Sequence, residues 1–428
     1  MEVDGKIDPG RLARLLRQEE ETYTRDHPKS LQLYHQAQQC LVAGVPMHWM
    51  VRSAGRFPVF VAEGSGAHFR CVDGKDYLDL CLGDTGAMTG HAPSPVVKAV
   101  AERAAKGVTF MLPTEDAVWV GRELQRRFGL KYWQFALTAT DANRFSIRLA
   151  RHITGRQKIL VFNYCYHGSV DETFITLQPD GSAAARAGNI GPAVHPSQTT
   201  KVVEWNDIAA LEAALAPGDV ACVLAEPVMT NIGIIHPEPG YHAALHDICT
   251  RTGTLLIIDE THTICTGPGG YTRAYGLQPD IFVLGKPIAG GVPTAVYGFS
   301  EGVSARLAGR IQDDESDTGG IGGTLAGNAL SMAAMRATLE HVLTDEAFRH
   351  TIVLAERFEA GVQEVIAEHG LPWVVKRLGC RVEYWFRPVP PKNGGEAAAA
   401  IDADLDRHTA VFRESVELLL GKRPTSRL

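Results

Sequence analysis

The sequence predicts an α/β protein, with a large domain built on a mostly parallel seven-stranded sheet covered by helices, plus a small α+β domain. Two observations carry this. Seven short apolar runs (YWQFAL, KILVFNY, TTKVVEW, VACVLAE, TLLIID, DIFVLG and AVYGFS) alternate with helical stretches between about residues 95 and 300. The runs lack strict apolar–polar alternation, and Gly, Pro or Asp bounds nearly all of them, which suits strands buried on both faces.

The remaining elements follow in order. Leu12, Leu15 and Leu16 make a short apolar stripe, read as a peripheral helix. A second helical stripe runs through Leu31, Tyr34, Ala37 and Leu41, with Gly44 where a helix would stop. The segments PVFVAEG, HFRCVDG and DYLDLCLG, with Gly64, Gly66 and Asp73-Gly74 as turn signals, predict a small meander. Beyond the large sheet, Ile352, Ala355, Phe358, Val362, Val365 and Ile366 share one face of a long helix between Glu346 and Gly370. Leu371-Pro372 ends it, two short strands follow (WVVKRL and CRVEYWF), and after PVPPKNGG a helical pattern runs from about Glu396 to Leu420.

Composition narrows the function. The chain has 428 residues, 45% hydrophobic and 21% charged, enough for one large domain and a smaller one. A net charge of −7 and a pI near 6.2 give no general attraction to nucleic acid or anionic membrane, so the expected partner is a small molecule. Eight cysteines are scattered singly without a CxxC pair, which predicts reduced thiols in a reducing compartment. The charged N-terminus lacks a signal-peptide core, and no apolar run approaches the roughly 18 residues of a membrane span. A cytoplasmic protein is expected.

In open α/β sheets, ligands collect at the carboxyl ends of the strands. After YWQFAL comes Thr138-Ala139-Thr140-Asp141, a helix start whose free backbone N–H groups suit a phosphate, although a plain N-cap reads the same way. After KILVFNY comes Tyr166-His167-Gly168, an aromatic able to lie on a heteroaromatic ring. After VACVLA comes Glu226, and after TLLII come Asp259-Glu260-Thr261-His262. A carboxylate ending a buried strand requires a cation, and a protonated pyridine nitrogen serves. After DIFVLG comes Lys286, in a segment apolar enough to favour the neutral amine that forms an imine with an aldehyde. Gly319-Gly320-Ile321-Gly322-Gly323-Thr324 offers a second phosphate contact. Taken in order, these groups supply what pyridoxal 5'-phosphate needs from a protein.

From about Leu41 to Glu340 the chain resembles the class III (fold-type I) pyridoxal-phosphate aminotransferases, and most closely the branch containing glutamate-1-semialdehyde aminomutase. The stretches LTATDANRFSIRLARHITGRQKILVFNYCYHG, LLIIDETHT, VLGKPIAGG and GGTLAGNAL carry the likeness. The resemblance implies that Lys286 is the Schiff-base lysine, that Asp259 keeps the pyridine nitrogen protonated, and that Tyr166 stacks on the ring. It implies that Ala139 and Thr140 hold the phosphate, helped by Thr324 across a homodimer interface. It also places His167, Thr261 and His262 around the ring, and Glu226 in the pocket wall. The domains are then an N-terminal helical segment (residues 1–65), a large cofactor domain (66–330) and a C-terminal small domain (331–428).

Four departures from the family pattern stand out. Its usual Ser-Gly-Thr-Glu reads Thr138-Ala139-Thr140-Asp141 here, which requires that Ala139 avoid positive φ. The usual apolar support of the ring is Thr261. The arginine that grips the aminomutase substrate after its Gly-Val turn is missing after Gly44-Val45, and Arg52 comes late. A helix-end and strand unit is expected to be absent near Asp404-Leu405-Asp406-Arg407, shortening the small domain.

These readings lead to an aminotransferase moving nitrogen from an amine or amino acid to a keto acid or aldehyde. A 2,1-aminomutase is the alternative within the same chemistry, and a catalytically weakened binding protein is the alternative outside it. A metal hydrolase is disfavoured because no HExxH spacing occurs, and a P-loop because DIFVLGKP lacks its first Gly and final Ser/Thr. Arg52, Arg144 and Arg273 are the candidates to bind a substrate carboxylate, each with a surface arginine as the plainer reading.

Overall fold

The computed structural model describes residues 9–51, 55–311 and 320–400. Arg52 and the segment Asp404–Arg407 lie outside the described residues, as does most of the helix expected up to Leu420. The chain divides into two compact units, residues 1–81 with 400–428 and residues 82–399.

In the first unit, helices α1 (Pro9–Asp26) and α2 (Pro28–Ala37) precede the predicted meander of β1 (Val61–Ser65), β2 (His68–Cys71) and β3 (Asp76–Leu78), paired antiparallel. Pro28 opens α2, where its missing N–H is not needed. The second helix stops at Ala37, short of Gly44, because the amides of Gln39 and Cys40 turn back to the carbonyls three residues earlier. Gly66 and Gly74 occupy the two turns with φ of 57° and 80°.

The second unit carries helices α3 (Ser94–Ala104), α4 (Glu115–Phe128), α5 (Ala139–Thr154), α6 (Ile208–Leu215), α7 (Tyr241–Thr252), α8 (Gly270–Ala274), α9 (Glu301–Ile311), α10 (Ala329–His341) and α11 (Asp345–Glu368). All seven apolar runs are strands of one sheet: β4 (Tyr132–Ala136), β5 (Lys158–Phe162), β8 (Thr200–Val203), β9 (Val220–Ala225), β10 (Leu255–Asp259), β11 (Ile281–Leu284) and β12 (Ala295–Phe299). A small hairpin of β6 (Ile175–Leu177) and β7 (Ala183–Ala185) stands apart. The sheet order is β4-β12-β11-β10-β9-β5-β8, and only β12 runs antiparallel to its neighbours.

Burial on both faces explains the continuous apolar runs. In β11, Ile281 and Val283 join the core under α5, while Phe282 and Leu284 join the core under α3, α4 and α10. The strand ends at Ala136, Phe162, Ala225, Asp259 and Leu284 consequently share one edge of the sheet. Near the C-terminus, β13 (Val374–Leu378) and β14 (Arg381–Trp385) form an antiparallel pair, with two strands in this sheet among the described residues. Residues 394–400 begin the expected terminal helix, with the Asn393 side chain accepting from the Glu396 amide. Among the described residues, no helix is long and apolar enough to cross a membrane.

Candidate active site

Helix α5 starts where β4 ends. Thr138 caps it, its hydroxyl oxygen accepting from the Asp141 amide at 3.2 Å, and the Ala142 amide reaches the Thr138 carbonyl at 3.0 Å. Of the four amides a helix start leaves open, those of Ala139 and Thr140 remain for a ligand. Ala139 lies outside the positive-φ residues, so Ala replaces the family's Gly there without strain.

Two glycines close around this helix start. A Cβ on Gly168 (φ 82°) would stand 2.2 Å from Thr140 Oγ1 and 2.8 Å from its Cα. A Cβ on Gly285 would meet Ala139 Cβ at 3.0 Å. The Thr140 hydroxyl oxygen accepts from the Ser169 amide at 3.0 Å, tying the Tyr166–Gly168 turn to the helix. Tyr166 is half-buried and packs edge-on against Phe174 with centroids 6.1 Å apart.

Asp259 is buried at the end of β10. Its Oδ2 accepts from His167 Nδ1 at 2.9 Å and Asn143 Nδ2 at 2.8 Å, and its Oδ1 from the Thr261 amide at 3.1 Å. Burial alone would raise its pKa, but His167, Thr261 and Asn143 outweigh this and hold it at about 2. Burial likewise opposes the charged form of His167, while Cys165 and Asp259 leave it at about 10. Glu226 is buried nearby and lifted to about 7, chiefly by burial, although the Thr230 hydroxyl donates to it.

Lys286 follows β11 with a left-handed backbone, φ 48°. Its Nζ lies 2.6 Å from Asp84 Oδ2 and 2.7 Å from His262 Nε2. On the other side of the imidazole, Arg381 Nη1 donates to Nδ1 at 3.0 Å, and Thr85 Oγ1 stands 3.0 Å from the same nitrogen. Burial first, then the positive fields of Lys286 and Arg381, hold the His262 pKa at about 3. The Thr261 hydroxyl oxygen accepts from the Gly285 amide at 3.3 Å, so the polar replacement of the family's apolar residue braces the lysine turn.

The contacts form a closed chain. Ala139 touches Gly285, Thr261 braces Gly285, His262 meets Lys286, and Asn143 reaches Asp259 from the helix that Ala139 opens. An open helix start, an anionic buried acid and a side-chain amine match in chemistry the groups pyridoxal phosphate carries: phosphate, pyridine nitrogen and aldehyde. His167 Nε2 and Asn143 Oδ1 are buried without protein partners, consistent with a polar ligand beside Asp259.

Thr324 lies in an exposed turn before α10. The carboxylate-binding candidates Arg144 and Arg273 do not join this cluster: Arg144 is exposed, and Arg273 donates to the backbone carbonyls of Arg126 and Arg127. Sequence reasoning missed Asp84, Asn143 and Arg381. Asn143 had a signal, a polar residue beside the buried Ala142 on α5; Asp84 and Arg381 arrive from 202 and 119 residues away from their partners.

The fold and this arrangement define an enzyme that works with pyridoxal phosphate. The chain belongs to the class III aminotransferase family, whose pattern residues 49–381 match. It is 34% identical over 403 residues to glutamate-1-semialdehyde 2,1-aminomutase 2 of Bacillus cereus, covering 91% of this chain and 90% of that one. A solved glutamate-1-semialdehyde aminomutase from Pseudomonas aeruginosa PAO1 is 49% identical and superimposes with a TM-score of 0.90, over 92% of this chain and 88% of that one. A lysine-to-alanine variant of such an enzyme from that strain was solved in complex with PMP. An omega-transaminase from Sphaerobacter thermophilus is 28% identical, with a TM-score of 0.77 over 86% of this chain and 85% of that one.

Proposed function

We propose that this enzyme is a 2,1-aminomutase, moving an amino group between neighbouring carbons of one molecule, with glutamate-1-semialdehyde as the first substrate to try. The observation carrying this reading is the 49% identity to a solved aminomutase across nearly the whole chain, supported by curated relatives of the same name. The reading replaces transamination between two substrates as the leading expectation. That expectation drew on the missing arginine after Gly44-Val45, in a stretch where Arg52 lies outside the described residues.

The cofactor, when bound, supplies an aldehyde that takes up an amino group and a protonated ring that draws electrons from the neighbouring carbon. Lys286 would hold the cofactor through its side-chain amine, and that amine would serve as the base that moves a proton between neighbouring carbons. Asp259, kept anionic by His167, Asn143 and the Thr261 amide, holds the proton on the pyridine nitrogen. The Ala139 and Thr140 amides hold the phosphate at the positive end of α5. Tyr166 would hold the ring by stacking, His262 would donate to the phenolic oxygen, and Glu226 would line the pocket wall. Thr324 completes the phosphate site of a second subunit in a homodimer.

Incubating the purified enzyme with glutamate-1-semialdehyde alone tests this. The proposal expects the isomer with its amino group on the neighbouring carbon, formed without a keto-acid acceptor. Turnover only when a separate amine and acceptor are both present would instead make the protein a transaminase.

A further inference from the structure

The loop after β3 brings a carboxylate to the lysine amine. Leu82, Gly83, Asp84 and Thr85 have φ values of 50°, 57°, 54° and 75°, four consecutive left-handed residues of which three are not glycine. Each such residue is strained by roughly 1–2 kcal/mol, and a β-branched threonine there is rarer still. Strain of this kind persists only where the surroundings enforce it. Turn bonds from the Ala87 amide to the Leu82 carbonyl (2.8 Å) and from the Met88 amide to the Thr85 carbonyl (3.1 Å) fasten the loop, and Met88 packs against the buried core. The run delivers two successive side chains to one imidazole: Thr85 to Nδ1 of His262, and Asp84 to the lysine bound at Nε2.

Hydrogen-bond accounting fixes the proton positions. A guanidinium only donates, so the Arg381 contact leaves Nδ1 of His262 as an acceptor. Arg381 is itself anchored by Glu383 and by the Thr230 carbonyl. A neutral imidazole that accepts at Nδ1 carries its hydrogen on Nε2, which points at Lys286 Nζ 2.7 Å away. In its neutral form, the form able to attack an aldehyde, the Lys286 nitrogen accepts from His262 and donates to Asp84; as the ammonium it donates to Asp84. A free lysine side chain has about 2 kcal/mol of rotamer entropy to lose, which a charge-assisted contact offsets.

We propose that Asp84 is a further catalytic residue, whose carboxylate receives the amino group of Lys286 whenever that group is not bonded to the cofactor and keeps it aimed at the reacting carbon. The proposal rests on the reading of Lys286 as the cofactor lysine. It gives the strained loop a purpose, because a relaxed backbone would present Asp84 and Thr85 in different directions.

The test uses the full-length chain, freed of cofactor, as wild type, Asp84→Asn and Asp84→Glu. Capture of added pyridoxal phosphate is followed by visible absorption. Binding of pyridoxine phosphate, which has a hydroxymethyl group in place of the aldehyde and cannot react with lysine, is measured alongside. Loss of one hydrogen bond to a charged group predicts capture slower by roughly tenfold or more in Asp84→Asn. Asp84→Glu should recover most of the rate, and the affinity for pyridoxine phosphate should stay unchanged in both variants. Capture by Asp84→Asn at the wild-type rate overturns the proposal. So does a parallel fall in pyridoxine phosphate affinity, which would make Asp84 a shaper of the pocket rather than a partner of the amine. If wild type itself captures nothing, the reading of Lys286 fails first, and that outcome is distinct from either of the others.

Discussion

Arg381 donates from Nη1 to Nδ1 of His262 at 3.0 Å, linking β14 to the segment after β10 across 119 residues of sequence. A permanent cation there adds to burial and Lys286 in keeping the imidazole neutral, and as a donor it leaves Nδ1 the acceptor. His262 can then donate to a neutral lysine amine, and with its pKa held at about 3 it stays uncharged at neutral pH.

Replacing this cation should let the ring protonate more easily. In Arg381→Gln the His262 pKa is expected to climb from about 3, though burial, the largest cause of the depression, remains. Nuclear magnetic resonance titration of the imidazole carbons, assigned by comparison with His262→Asn, reads this directly. The wild-type signal should show no inflection above pH 4, and the variant should show one. Identical titrations would mean that burial and Lys286 set the state of the ring without Arg381.

The pair of Asp259 and His167 makes a stability prediction with a defined pH window. Asp259 is lowered from 3.8 to about 2, so its contribution is present above pH 3.8 and lost as pH falls through 2. His167 is raised from 6.5 to about 10, so its contribution is full below pH 6.5 and lost as pH rises through 10. Both contributions are complete only between those limits. Asp259→Asn should cost roughly 3–5 kcal/mol at pH 5 to 6, because it strands a buried histidine. Urea unfolding across pH checks this, and a loss that does not vary with pH would argue against the ion pair.

Glu226 has the opposite sign from most acids. Its folded value of about 7 exceeds its ordinary 4.5, so the folded protein holds a proton there that the unfolded chain has released. Its stability contribution is full below pH 4.5 and disappears as pH rises through 7. Glu226→Gln, a permanent mimic of the neutral acid, should stabilise the protein by about 3 kcal/mol at pH 8 and by nearly nothing at pH 4. Thermal unfolding at the two pH values separates this from a uniform packing effect.

Much of the architecture was legible because the central strands of the seven-stranded sheet are apolar on both faces and end at turn residues. Lys286, Asp259 and the helix start at Ala139 were legible for a related reason: each is polar chemistry directly abutting an apolar strand. Asp84 was not, since GDTG reads as an ordinary turn and only the left-handed run Leu82–Thr85 aims the carboxylate at Lys286. Arg381 was hidden in a short strand whose alternation reads as structural, and its partner lies on a different element. The end of α2 was misplaced because Gly44 does adopt a left-handed turn, but in a separate turn beyond the helix.

Reducing the cofactor-loaded protein with borohydride and mapping its peptides by mass spectrometry shows whether Lys286 carries pyridoxal phosphate. A phosphopyridoxyl group is expected on the peptide containing Lys286, and no such group anywhere in Lys286→Ala. A label on a different lysine, or an unlabelled protein that nonetheless retains the cofactor, would contradict this role for Lys286.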